Sequence, residues 1–193
     1  MLAALRVTLL QKTSPRWIEV ALARFDEVLV DHAHCEKKAA AHALSMLAAF
    51  PSVPGLARAM AALAREEAGH LVQVLALLDE RGLSLGRDLG DPYVQALQAQ
   101  VRNPQAERLL DRLLVSALVE LRSEERLRLL AENLADPMLR AFYARLAESE
   151  EGHGALFLTL ARRLPLDADG RLAQLAQVEA GLIRDLPVRA AIH

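Results

Sequence analysis

Two short stretches, AREEAGH at 64–70 and AESEEGH at 147–153, each set a glutamate three residues ahead of a histidine: Glu67 with His70, and Glu150 with His153. Both pairs interrupt apolar lines of helical period. One line runs Met60, Leu63, Glu67, His70, Val74, Leu77; the other runs Phe142, Leu146, Glu150, His153, Phe157, Leu160. Steps of three and four place each set on one helix face, so both pairs point into a core. Glu66 lies about 100° round its helix from Glu67 and reaches water.

The remaining elements are helical as well. A first helix opens at TSPRW, with Ser14 as cap and Pro15 in the first turn, and runs to about Phe50 before PSVPG. A second covers about 55–81 and stops where Gly82 takes a left-handed turn. A third begins near Pro104 with Asn103 as cap and runs to about Asn133. At ADP, 135–137, Asp136 caps and Pro137 starts a fourth, which ends near 162–165. The mixed stretch 83–103 has room for a short helix from Pro92 to about Gln100. DADGRLAQLAQVEAGLIRDLP gives an amphipathic fifth helix, expected outside the others and beside the N-terminal segment.

The first and third helices each carry one inward glutamate. Glu36 follows the line Leu29, His32, Glu36, Ala40, Ala43, and Glu120 the line Leu109, Leu113, Ser116, Glu120. In an antiparallel hairpin, residues equidistant from the turn share a height. The midpoint of Glu36 and Glu67 falls in PSVPG, and that of Glu120 and Glu150 falls in ADP. Each glutamate thus faces the Glu-x-x-His pair of the next helix. Two such hairpins related by a pseudo-twofold need their second and third helices parallel. The stretch 83–103 is long enough for that crossover, whereas a tight turn is not.

Hydrophobic residues make up 53% of the chain and aromatics 4%, so Leu and Ala do the packing and an all-α fold is expected. The 193 residues suit a single domain, 1–193, with a core bundle over about 15–165 and a helical extension over about 168–186. A net charge of −2 gives no global pull toward nucleic acid. The sole cysteine, Cys35, permits no internal disulfide and fits a reduced, cytoplasmic setting. The apolar start MLAALRVTLLQK lacks a clear cleavage site, and no run of about 18 residues is free of charge, so neither a signal peptide nor a membrane span is expected.

Four carboxylates at one level of an apolar core repel one another, and burying even one unpaired charge costs several kcal/mol. Two divalent cations balance them, with two imidazoles as neutral donors. One Glu from each of two helices plus Glu-x-x-His from each of the other two is the donor pattern of ferritin-like dinuclear sites. Glu36, Glu67, His70, Glu120, Glu150 and His153 are therefore the expected ligands. Glu67 and Glu150 would bridge, Glu36 and Glu120 would be terminal, and the histidines would bind different ions. Oxygen donors with imidazole suit iron or manganese.

Other residues are less determined. His32, one turn before Glu36, lines a cavity or satisfies a hydrogen bond. Glu124 is either a partner of a ligand imidazole or a surface charge. His34 and His42 fall off the line and are read as surface or satisfied core positions, and Cys35 as a small buried hydrophobe. A radical site would want a Tyr beside the metals, and Tyr143 lies two turns from Glu150.

The stretches LVDHAHCEKKAAAHALSML at 29–47, LAREEAGHLVQVLALLDERG at 63–82, VELRSEERLRLLAE at 119–132 and FYARLAESEEGHGALFLTLA at 142–161 resemble the tRNA 2-methylthio-N6-isopentenyladenosine hydroxylases. The resemblance covers about residues 15–165, and DHAHCEKKAA is its most specific part. It implies a ferritin-like, non-haem diiron enzyme that hydroxylates the isopentenyl group of a modified adenosine next to the tRNA anticodon. Dioxygen would be co-substrate and an external reductase the electron donor. The same six residues carry over as iron ligands, while Glu124 in RSEER departs from the small residue or Cys expected there. Ala40, Ala43, Ser116 and Ala117 would leave room for a prenyl group. Lys37, Lys38, Arg102, Arg108, Arg112, Arg122, Arg126 and Arg128 are candidate phosphate contacts, and Tyr93 a candidate for base stacking. A small-molecule diiron oxidase and an iron-oxidising storage protein stand as alternatives, since fold alone does not decide between them.

Overall fold

The computed structural model describes residues 9–193, which form helices and no strand. In chain order these are α1 Pro15–Ala23, α2 Phe25–Ala49, α3 Leu56–Glu80, α4 Pro92–Gln98, α5 Gln105–Asn133, α6 Pro137–Ala161 and α7 Ala168–Asp185. The long helices α2 and α3 pair as one hairpin and α5 and α6 as a second. The crossover between the hairpins carries α4, and α7 packs on α4 and α5.

Local chemistry sets most boundaries. Ser14 Oγ accepts from Arg16 N at 3.3 Å, and Asp136 Oδ1 accepts from Met138 N at 2.7 Å. Gly82 has φ 67°, the left-handed turn expected after α3. Two expectations are corrected. The single helix from Pro15 to Phe50 is two helices, broken at Arg24 with φ −128° and ψ 42°. The break swings α1 toward α5, where Trp17 Nε1 donates to Ala191 O at 3.0 Å and Arg126 lies 5.1 Å over the indole. Asn103 does not cap α5. The cap residue is Pro104, whose carbonyl takes Arg108 N at 2.7 Å.

Two apolar clusters divide the bundle along its length. One gathers Met46, Met60, Leu63, Leu113, Phe157 and their neighbours. The other gathers Trp17, Leu29, Val74, Leu78, Leu130 and Leu146. On every long helix the inward Glu or His falls between the segments that feed these clusters. A polar layer is thus clamped between two dry ones, and each buried Leu contributes about 1.5–3 kcal/mol to holding it shut. No helix among the described residues is long and apolar enough to cross a membrane.

Candidate metal centre

Glu36 on α2, Glu67 and His70 on α3, Glu120 on α5, and Glu150 and His153 on α6 all lie in this layer, each 1–7% exposed. They form two overlapping groups. Glu36, Glu67, His70 and Glu150 bring one donor atom each within 4.8 Å of one another, and so do Glu67, Glu120, Glu150 and His153. Glu67 and Glu150 belong to both groups. Glu36 and His70 stand on one side, Glu120 and His153 on the other.

Both imidazoles turn Nδ1 inward. His70 Nδ1 is 3.2 Å from Glu67 Oε2 and 3.6 Å from Glu36 Oε2. His153 Nδ1 is 3.1 Å from Glu67 Oε1 and 3.4 Å from Glu150 Oε2. These last approaches are close but misaligned. Glu67 Oε1, Glu150 Oε2 and His153 Nδ1 are buried and make no hydrogen bond among the described residues. Buried polar atoms left this way cost about 1–3 kcal/mol each. A cation shared between them removes that cost, so the donor set fits a pair of divalent ions.

The protonation pattern says the same. Burial raises Glu120 well above the carboxylate range, and the charges of Glu150 and Glu67 add to the effect. Glu67 is raised by burial and by Glu150 and Glu36, against the pull of His153 and His70. Burial would lower both histidines, yet Glu36 and Glu67 hold His70 up at about 10. Glu150 and Glu67 likewise hold His153 at about 11. Without cations, protons do the neutralising. Glu36 differs: burial would raise it, but the bond from His32 and the nearby charge of His70 bring it down to about 2.

The supports around the ligands were only partly legible. His32 Nε2 lies 2.8 Å from Glu36 Oε1, and its ring stacks on Tyr143 at 5.5 Å. Behind His153, Ser149 Oγ donates to Glu66 Oε1 at 2.8 Å. His153 Nε2 sits 3.5 Å from Glu66 Oε2. Glu66 does face water, but it also backs the imidazole. Glu124 pairs with Arg128 and so is a surface charge rather than an imidazole partner. His34 is a satisfied core residue, bonded through Nε2 to Leu85 O at 3.1 Å.

A cavity of about 430 Å³ opens against Glu36, Glu120 and Glu150. Ala39, Val119, Leu127 and Phe157 give it apolar walls, with His42 and Ser116 between them. His42 Nε2 meets Ser116 Oγ at 3.1 Å, and burial with the nearby Arg112 lowers this histidine to about 4. Of the small residues expected to make room, Ser116 lines the cavity. Ala43 and Ala117 are instead core positions, fully buried. Cys35, Asp91, Ile192 and His193 complete one wall. Cys35 is therefore a cavity residue and not only packing.

Three candidates for tRNA contact are corrected. Arg122 is fully buried. It donates to Glu179 Oε1 at 2.7 Å and to Gln11 O at 2.7 Å. Arg126 is buried and donates to Ile192 O at 3.0 Å. Tyr93 is 3% exposed, bonded to Glu179 at 3.0 Å and stacked on His193 at 5.7 Å, so it presents no face to a base. Arg102 is held by Asp111 at 2.8 Å. Lys37, Arg108 and Arg112 keep surface exposure.

Comparison with known proteins gives four findings. A family model described as tRNA-(ms2io6A)-hydroxylase (MiaE) matches residues 1–193. A Pseudomonas putida protein named tRNA 2-(methylsulfanyl)-N(6)-isopentenyladenosine(37) hydroxylase is 40% identical over 157 residues, 81% of this chain and 76% of its own. The Salmonella typhimurium protein of that name is 33% identical over 125 residues, 64% of this chain and 46% of its own. A solved structure titled "Protein 43 with aldehyde deformylating oxygenase activity from Synechococcus" superposes with a TM-score of 0.91 at 40% identity, covering 96% of this chain and 94% of that one.

Proposed function

Because this chain belongs to the tRNA-(ms2io6A)-hydroxylase family, we propose that it hydroxylates the isopentenyl group of 2-methylthio-N6-isopentenyladenosine in tRNA, using two iron ions. The observation that carries this reading is the pair of overlapping donor groups, sharing Glu67 and Glu150, beside a cavity of about 430 Å³ that reaches Glu36, Glu120 and Glu150. Glu36 and His70 would hold one iron, Glu120 and His153 the other, and Glu67 and Glu150 would bridge them. The iron pair, when bound and reduced, supplies the activation of dioxygen that no side chain can provide.

The chain's own residues do the rest. Ala39, Val119, Leu127 and Phe157 seat the prenyl chain and exclude water from the inner end. The volume admits a prenylated purine only as a base turned out of its stack. His32 fixes one oxygen of Glu36 and leaves the other for iron. One oxygen atom enters the substrate C–H bond, and the second leaves as water with two electrons and two protons from outside. An external reductase is thus a required partner. Lys37, Arg108 and Arg112 would meet phosphates, with binding that weakens as salt rises.

A second reading follows from the Synechococcus protein. That protein is named for an aldehyde deformylating oxygenase activity, and the apolar cavity of this chain would accept an alkyl aldehyde. One experiment separates the two. The ferrous-loaded protein, a chemical reductant and labelled dioxygen are mixed with tRNA carrying the prenylated base, or with long-chain aldehydes. One labelled oxygen in the released nucleoside supports tRNA hydroxylation. Aldehyde turnover with unmodified tRNA would replace it.

A further inference from the structure

Outside the four-helix site, one other trio of metal-ligating side chains converges among the described residues: Cys35, Asp91 and His193. They come from α2, from the residue before α4, and from the stretch after α7. Cys35 Sγ lies 3.6 Å from His193 Nδ1, and His193 Nδ1 lies 3.1 Å from Asp91 Oδ2. Zinc bonds of about 2.0–2.3 Å in a tetrahedral site put neighbouring donors roughly 3–4 Å apart. The two separations from His193 match neighbouring corners of such a site, and all three donor atoms lie within 4.8 Å of one another.

The surroundings hold these atoms in place. His193 Nε2 is engaged by Ser123 Oγ at 2.8 Å, which leaves Nδ1 for the trio, as the outer partners of metal-binding histidines do. Asp91 Oδ1 caps α4 through Val94 N at 3.0 Å, so Oδ2 alone faces His193. Asp31 Oδ2, anchored by Ile192 N at 2.7 Å, adds negative charge 3.6 Å from Cys35 Sγ. The cation on this wall, Lys38, lies 3.6 Å from Asp88. All three donors line the cavity, so a fourth corner would face its interior.

We propose that Cys35, Asp91 and His193 form a second metal site, for a borderline divalent cation of the zinc class, which ties the C-terminal stretch to α2 across one wall of the cavity. Ligation displaces the thiol proton to solvent and transfers no electron. The site is separate from the dinuclear one, whose donors include no sulfur.

The test is a cobalt(II) titration of the full chain. Cys35 is the only cysteine, so sulfur-to-cobalt charge-transfer absorption reports this site alone. The band should grow to saturation in the wild type and in Glu67→Ala/Glu150→Ala, and zinc should abolish it. It should be absent from Cys35→Ser. In His193→Ala and in Asp91→Asn, which keeps a capping side chain, the cobalt affinity should fall at least about tenfold. Helical circular dichroism checks that each variant is folded. No thiolate band in the wild type, or a band indifferent to both His193→Ala and Asp91→Asn, would overturn the proposal. Because the band is read in a variant lacking the shared carboxylates, this outcome is independent of the dinuclear reading.

Discussion

His32 Nε2 stands 2.8 Å from Oε1 of Glu36, one turn away on α2. The imidazole is itself pinned by its stack on Tyr143. A carboxylate held at one oxygen presents the other in a fixed direction. His32→Ala should therefore lower ferrous affinity by about 10–100-fold with the helical spectrum unchanged. Competition with a chromogenic chelator measures this; equal affinities would show that Glu36 orients itself.

Proton release on metal binding is the next expectation. In the metal-free protein His70 and His153 are held up at about 10 and 11, and Glu120 is raised by burial. All three must lose protons to bind cations. Ferrous affinity should then rise with pH from 6 to 8, and calorimetry in buffers of different ionisation heat should show net proton release. The sign for stability is opposite. Folded-state values raised above the unfolded ones stabilise the metal-free chain fully below about 6.5 for the histidines. That stability is lost as pH climbs toward about 10. Denaturant midpoints of the metal-free protein should fall between pH 7 and 9.

Arg122 and Glu179 are both fully buried and meet at 2.7 Å, joining α5 to α7. Arg122→Met leaves Glu179 uncompensated and should cost about 3–5 kcal/mol, whereas Arg122→Met/Glu179→Leu should recover part of it, since Tyr93 and Glu125 each still lose a partner. Urea unfolding of the single and double variants checks both. A single variant as stable as wild type would mean that Glu179 finds water.

Much of the arrangement was legible because helical period and hinge spacing are local signals. Glu36, Glu67, His70, Glu120, Glu150 and His153 could be aligned by phase and turn position, and in space they converge. The buried arginines were misread because Arg on a helix ordinarily faces solvent. A signal existed: Glu179 continues the apolar line Leu172, Leu175, Ala176 on α7, so an inward carboxylate required a buried cation. The break at Arg24 carries no Pro or Gly to announce it. The cavity wall of Asp91, Ile192 and His193 was illegible because these residues lie outside any periodic segment.

Blocking the cavity separates substrate access from metal binding. Ala39 lines it beside Glu36 without being a donor. Ala39→Phe should keep the iron content and lose at least about tenfold in kcat/KM toward tRNA, as lost seating of the reacting group predicts. Unchanged turnover would place the substrate elsewhere.

The decisive measurement is the iron content of the reconstituted protein, compared with Glu67→Ala/Glu150→Ala. If Glu67 and Glu150 are shared between two ions, the wild type should hold about two irons per chain, and losing both bridges should empty the site together. A folded wild type that takes up no ferrous iron, or a double variant that keeps both ions, would contradict a dinuclear centre at this layer.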